Sequence, residues 1–193
     1  MMVADVVYNY SQANIPLEVM WTDIDYSMSW PYFISFEACL LTGTVDGRRT
    51  WTLDPERFPL EKMQELVTYL HDRNQSYIMM VDPPVSVNDS TSYNRGLQDD
   101  VFFKNSDGSV YLGGMWPGVT TWVDWLHPNA QDFWTAEVAS FFNAETGVDV
   151  DAIWIDMNEV RLAFSKDTFE NDINSYSRPT SALSPVRIPF SGL

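Results

Sequence analysis

The chain has 193 residues, 45% of them hydrophobic, which is material for one compact domain because domains typically hold about 50 to 250 residues. Its formal net charge of -16 leaves no basic surface to neutralise a phosphate backbone or an anionic bilayer, so nucleic acid and membrane surfaces are excluded as expected partners. Cys39 is the single cysteine, which excludes an internal disulfide, and no run reaches the roughly 18 apolar residues of a membrane span.

In chain order, Val3, Val6, Val7 and Tyr10 recur at helical spacing and predict a helix that Ile15-Pro16-Leu17 stops. Leu17-Glu18-Val19-Met20-Trp21 is short and apolar. The polar stretch Thr22-Asp23-Ile24-Asp25-Tyr26 follows at once, the pattern of a buried strand that delivers carboxylates at its end. Asp54-Pro55-Glu56-Arg57-Phe58-Pro59 reads as a turn, and Met63, Leu66, Val67 and Leu70 place a second helix behind it, closed by His71-Asp72-Arg73-Asn74. Tyr77-Ile78-Met79-Met80-Val81 repeats the strand pattern and ends on Asp82, before Pro83-Pro84. Residues 86–128 are rich in Gly, Asn, Asp and aromatic side chains and lack periodicity; they read as a long loop with one hairpin around Asn105-Ser106-Asp107-Gly108. A helix over about 130 to 143 then leads into Asp151-Ala152-Ile153-Trp154-Ile155, a third buried strand, which ends on Asp156.

Strands that alternate with helices imply a parallel sheet, open or closed into a barrel. Carboxylates at the carboxyl ends of several strands are what a (β/α)8 barrel offers. Such a barrel needs about 200 residues or more and eight strands. The expected fold class is therefore α/β, an incomplete (β/α)8 TIM barrel with about three βα units. No glycine-rich phosphate loop follows any of the strands, which argues against a nucleotide-binding doubly wound sheet.

The densest chemical signal is Trp154-Ile155-Asp156-Met157-Asn158-Glu159, where a strand runs straight into two acids. The residues alone leave two readings open, a helix cap or a reactive pair. This segment stands with Trp21-Thr22-Asp23-Ile24-Asp25-Tyr26, Thr52-Leu53-Asp54-Pro55-Glu56-Arg57-Phe58-Pro59, Met80-Val81-Asp82-Pro83 and Trp116-Pro117-Gly118. In order and approximate spacing the five resemble glycoside hydrolase family 31, over most of residues 1–160 and closest in wording to its fungal α-glucosidases. The resemblance implies a retaining hydrolase of terminal α-linked glucose that works through a covalent glycosyl-enzyme. It implies Asp156 as nucleophile and Glu159 as a supporting acid that orients or tunes it. It further implies Asp23 as a hydrogen-bonding partner of the glucosyl hydroxyls, with Ile24, Val85, Trp116, Trp154 and Met157 lining the same subsite. Against this, Glu159 can be a first-turn helix acid, and the apolar five can be ordinary core.

Asp25 and Asp82 share the strand-end position but are assigned a structural role, bonding barrel loops, and stand outside the catalytic set. His71 and His127 have no partners at metal-ligand spacing, so no metal and no cofactor is expected. The expected partner is an α-glucoside or malto-oligosaccharide substrate. The residues do not give the compartment; the resemblance implies a secreted or lumenal one, with any signal lying upstream of Met1.

Two regions depart from the family pattern. Residues 27–46 are extra sequence just after Asp25, an intron read as coding sequence or a lineage-specific loop, which would reshape the glucosyl subsite. After Glu159 the run Val160-Arg161-Leu162-Ala163-Phe164 replaces the family's wording, and 161–193 reads as a divergent, flexible tail, rich in Ser and Pro from Ser175 to Leu193. The family's acid/base aspartate, subsite arginine and subsite histidine have no counterpart in these residues. The 193 residues alone are therefore expected neither to fold stably nor to hydrolyse α-glucosides, and an inactive or carbohydrate-binding homologue is the alternative reading.

Overall fold

The computed structural model describes residues 2–27, 49–115 and 117–158. Trp116, Glu159, the 161–193 tail and all of the extra 27–46 segment except Ser27 lie outside the described residues. The elements are α1 (Met2–Gln12), β1 (Val19–Thr22), a 3-10 turn (Ile24–Tyr26), α2 (Leu60–His71), β2 (Ser76–Val81), β3 (Val85–Ser86) and α3 (Ser90–Gln98). They continue with β4 (Gly113–Met115), β5 (Gly118–Thr121), α4 (Ala130–Phe141) and β6 (Ala152–Ile155).

β1, β2 and β6 form a parallel sheet in the order β1-β2-β6, with Thr22 opposite Met79 and Val81 opposite Ile155. Among the described residues the sheet is not closed into a barrel. Side chains alternate across a strand. Tyr77 and Met79 accordingly pack against the helical layer, in one core with Val7, Met63, Leu66, Val67, Leu70 and Val148. Ile78, Met80 and Asp82 lie on the other face by the same alternation.

The helices end by a shared device. Asn14, Asn74 and Asp100 adopt φ of 55°, 54° and 58° just past α1, α2 and α3. Each following amide reaches back to the last turn, Ile15 to the Tyr10 carbonyl, Gln75 to Leu70 and Val101 to Gly96. Asparagine and aspartate tolerate this left-handed position better than other non-glycine residues, so the breaks are written into the sequence.

Two expectations are corrected. β1 and β6 are not buried strands here: Trp21 is 58% exposed, Trp154 37% and Ile155 66%. Among the described residues each has β2 on one side and an open edge on the other, whereas central β2 is bordered on both sides and holds Met79, Met80 and Val81 at 0%, 3% and 1% exposure. Nor is 86–128 a long loop. It holds α3, capped by Asp89 through the Thr91 and Ser92 amides, and an antiparallel sheet in the order β3-β5-β4. A second core of Val85, Val101, Phe102, Val123, Ala130 and Phe133 supports that sheet. The turn expected near Asn105 is present, with Lys104 bridged to Val110 and Gly108 at φ 84°.

Candidate active site

The three parallel strands end at the same edge of the sheet, and each hands over an aspartate: β1 to Asp23, β2 to Asp82, β6 to Asp156. The period-two pattern puts Trp21 and Asp23, Met80 and Asp82, and Trp154 and Asp156 on the face turned away from the helices. Asp82 and Asp156 take the register step just beyond Val81 and Ile155, on strands roughly 4.8 Å apart. The ladder persists to that point, because the Asp156 amide donates to the Val81 carbonyl at 3.2 Å.

The loop after β1 is held by the Asp54 to Phe58 motif. Asp54 is 6% exposed; its carboxylate accepts from the Glu56 and Arg57 amides at 3.0 Å and from Arg57 Nε at 2.9 Å. Arg57 Nη2 donates to the Asp25 carbonyl at 2.7 Å, and the Asp54 amide donates to the Tyr26 carbonyl at 2.8 Å. Tyr26 is buried, and its hydroxyl donates to the Met80 carbonyl at 2.7 Å, which docks the loop onto β2. Asp23 itself accepts from the Ile24 amide at 2.6 Å and remains exposed. Its oxygens are thus presented beside the sheet edge by a braced turn rather than by a free loop.

Asp82 is the unusual member. It is 5% exposed, and neither carboxyl oxygen has a hydrogen-bond partner among the described residues. Thr50 Oγ1 donates to the Asp82 and Pro84 carbonyls at 3.3 Å, so the main chain is held while the side chain is not. This corrects the expectation that its carboxyl group bonds barrel loops: among the described residues the loop at Thr50 reaches its main-chain carbonyl and not its carboxyl oxygens. Burial raises the acid to about 7, with the charges of Asp156 and Asp23 adding to the effect. The Tyr26 phenol is pushed up too, by burial first and then by Asp82, Tyr77 and Asp23. Burial also lifts Tyr77 to about 12, opposed by its 2.6 Å hydrogen bond with Thr22 Oγ1.

Asp156 is half-buried and is followed by Met157 at φ 50°, a left-handed conformation that is uncommon for a bulky side chain. Asn158 Nδ2 donates to the Asp156 carbonyl at 2.8 Å and closes this turn. The fold thus brings Asp23, Trp154 and Asp156 to one face, with Ile24 half-buried in the 3-10 turn and Met157 36% exposed. Val85 lies elsewhere, 2% exposed in the second core and paired with Thr121. Trp116 and Glu159 lie outside the described residues. Asp82 and Tyr26 join the site although they stand outside the sequence-based set. The signal for Asp82 was visible, an apolar run ending on an acid, but its burial is a property of strand order. Among the described residues no group of three or more His, Cys, Asp or Glu could hold a metal ion.

Parallel strands that deliver carboxylates to one end of a sheet are the arrangement of barrel-type α/β proteins. Residues 1–183 match the glycosyl hydrolases family 31 TIM-barrel domain, and the chain belongs to that family. It is 51% identical over 195 residues to a probable alpha/beta-glucosidase of Aspergillus flavus, covering 97% of this chain and 20% of that protein. An alpha-glucosidase of Mucor javanicus is 39% identical over 158 residues, covering 81% of this chain and 16% of that protein. The chain thus spans a fifth or less of the curated relatives it matches. Among solved structures, the Tris-bound glucosidase II alpha subunit superposes with a TM-score of 0.64 at 24% identity, over 82% of this chain and 15% of its own. The Family 31 alpha-glucosidase from Bacteroides thetaiotaomicron does so with a TM-score of 0.56 at 25% identity, over 79% and 22%.

Proposed function

We propose that residues 1–160 contribute about three βα units to the catalytic barrel of a retaining α-glucosidase. The substrate is an α-glucoside or malto-oligosaccharide with a terminal non-reducing glucose. The observation that carries this reading is the placement of Asp23 and Asp156 at the ends of β1 and β6, the two strands that flank β2, on one face of a parallel sheet, in a chain of family 31. Asp156 attacks the anomeric carbon, a covalent glycosyl-enzyme forms, and water hydrolyses it with a second carboxyl group acting as acid and then base. Asp23 receives glucosyl hydroxyls, and Trp154 offers a ring face beside the nucleophile. Ile24, Met157 and Trp116 complete the subsite, and Glu159 supports the nucleophile.

An activated fluoro-glucoside tests the reading, because it slows hydrolysis of the intermediate more than its formation. A protein in which the site is assembled is expected to gain the mass of one fluoroglucosyl group, mapped by peptide sequencing to Asp156, and Asp156→Asn is expected to gain none. Labelling at another carboxyl group, or undiminished labelling of the Asn variant, rejects the assignment. Absence of any adduct in the unsubstituted protein supports the sugar-binding alternative instead.

A further inference from the structure

We propose that Asp82 is a positioning residue for Asp156, standing uncharged beside it at the strand ends so that the negative charge of the pair resides on Asp156. Of the three strand-end acids only Asp82 is buried, and both its oxygens lack partners among the described residues. A carboxylate sealed in this way would be costly, so the group keeps its proton instead. Asp156 faces it from the end of β6, Asp23 from the end of β1 and Tyr26 from the turn that packs over β2, while Tyr77 lies further back on β2 itself. These neighbours are acids and phenols, and none supplies the cation that would hold a second carboxylate ionised. Burial keeps Asp82 protonated up to about pH 7, with Asp156 and Asp23 assisting.

The consequence is a division of labour between two coupled acids. While Asp82 is neutral, Asp156 has no like-charged neighbour one strand away. As pH rises through the titration of Asp82, a second charge forms and the two repel. At 5% exposure Asp82 does not touch a sugar, so it acts through Asp156 rather than on the substrate.

The inference rests on Asp156 as nucleophile for its consequence but is tested apart from it. The full chain, labelled with 13C at aspartate carboxyl groups, is titrated by NMR at low ionic strength, with Asp82→Asn assigning the resonance. Asp82 is expected to titrate near pH 7 and to move to lower pH in Asp156→Asn. A midpoint in the ordinary aspartate range, in a folded or an unfolded chain, overturns the inference, and so does a midpoint indifferent to Asp156→Asn. In fluoro-glucoside trapping, Asp82→Asn is expected to leave Asp156 as the labelled residue and to remove the change in labelling rate that accompanies the titration of Asp82. Normal titration of Asp82 with Asp156 still trapped removes this inference alone. Titration near pH 7 with no adduct removes the glucosidase reading alone.

Discussion

Asp82 makes stability depend on pH in a direction opposite to that of most carboxylates. Its folded pKa, about 7, lies above the unfolded value of 3.8, so the native state binds the extra proton. Below the unfolded value its ionisation costs nothing. Between the two values the penalty grows, and above the folded value it is complete, with an upper bound of about 4 kcal/mol. Asp82→Asn is therefore expected to stabilise the chain by about 2 to 4 kcal/mol at about pH 8 and to leave it nearly unchanged at about pH 4. Urea denaturation at both pH values checks this; an equal gain at both would mean that packing, not ionisation, is responsible. The same residue shows where sequence reading stops. Asp23, Asp82 and Asp156 carry one local signature, an apolar run ending on an acid. Which of them is sealed depends on β2 lying between β1 and β6, a pairing that no short window contains.

At the scale of elements, the delivery of Asp156 depends on how α4 gives way to β6. The Val148 amide donates to the Phe141 carbonyl at 3.1 Å, and Val148 is fully buried in the first core. Further on, Asp151 accepts from the Tyr77 amide at 2.7 Å and pairs with His71 at 2.9 Å, which fixes the entry to β6 against β2 and α2. Gly147 permits the close return: a Cβ there would lie 2.2 Å from the Phe141 carbonyl oxygen, which is main chain and cannot swing aside. Gly147→Ala is expected to destabilise by about 1 to 3 kcal/mol and to lower fluoro-glucoside trapping. Gly108→Ala, with φ 84° but nothing within 4 Å of its Cβ, should cost about 1 kcal/mol and leave trapping intact. Denaturation midpoints together with trapping rates separate the two effects; equal trapping in both variants would show that the α4 to β6 connection does not position Asp156. The helices and parallel strands were legible because their apolar spacing is regular over many residues. The 86–128 region was not, because β3 has two residues and β4 is Gly113–Met115, and such strands are defined by their partners rather than by a pattern of their own.

Over the whole molecule, two opposing forces set the behaviour of these residues in solution. Parallel sheets are ordinarily covered on both faces, yet among the described residues Trp21 and Trp154 are exposed on either side of buried Met80 and Asp82, and Ile155 is exposed on a flanking strand. Open apolar faces and unpaired strand edges favour association. A net charge of -16 opposes it through repulsion between copies, which salt weakens. At low ionic strength repulsion should prevail, and at about 0.5 M salt, where the Debye length falls to roughly 4 Å, the apolar face should prevail. Sedimentation velocity of the 193-residue chain is expected to show a shift from monomer to larger species as salt rises, and Trp21→Ser with Trp154→Ser should suppress that shift. A chain that stays monomeric across the salt series, or one whose association ignores the two substitutions, would mean that this face is not what drives contact. Suppression by the pair would show that the surface beside Asp23 and Asp156 is built to be covered.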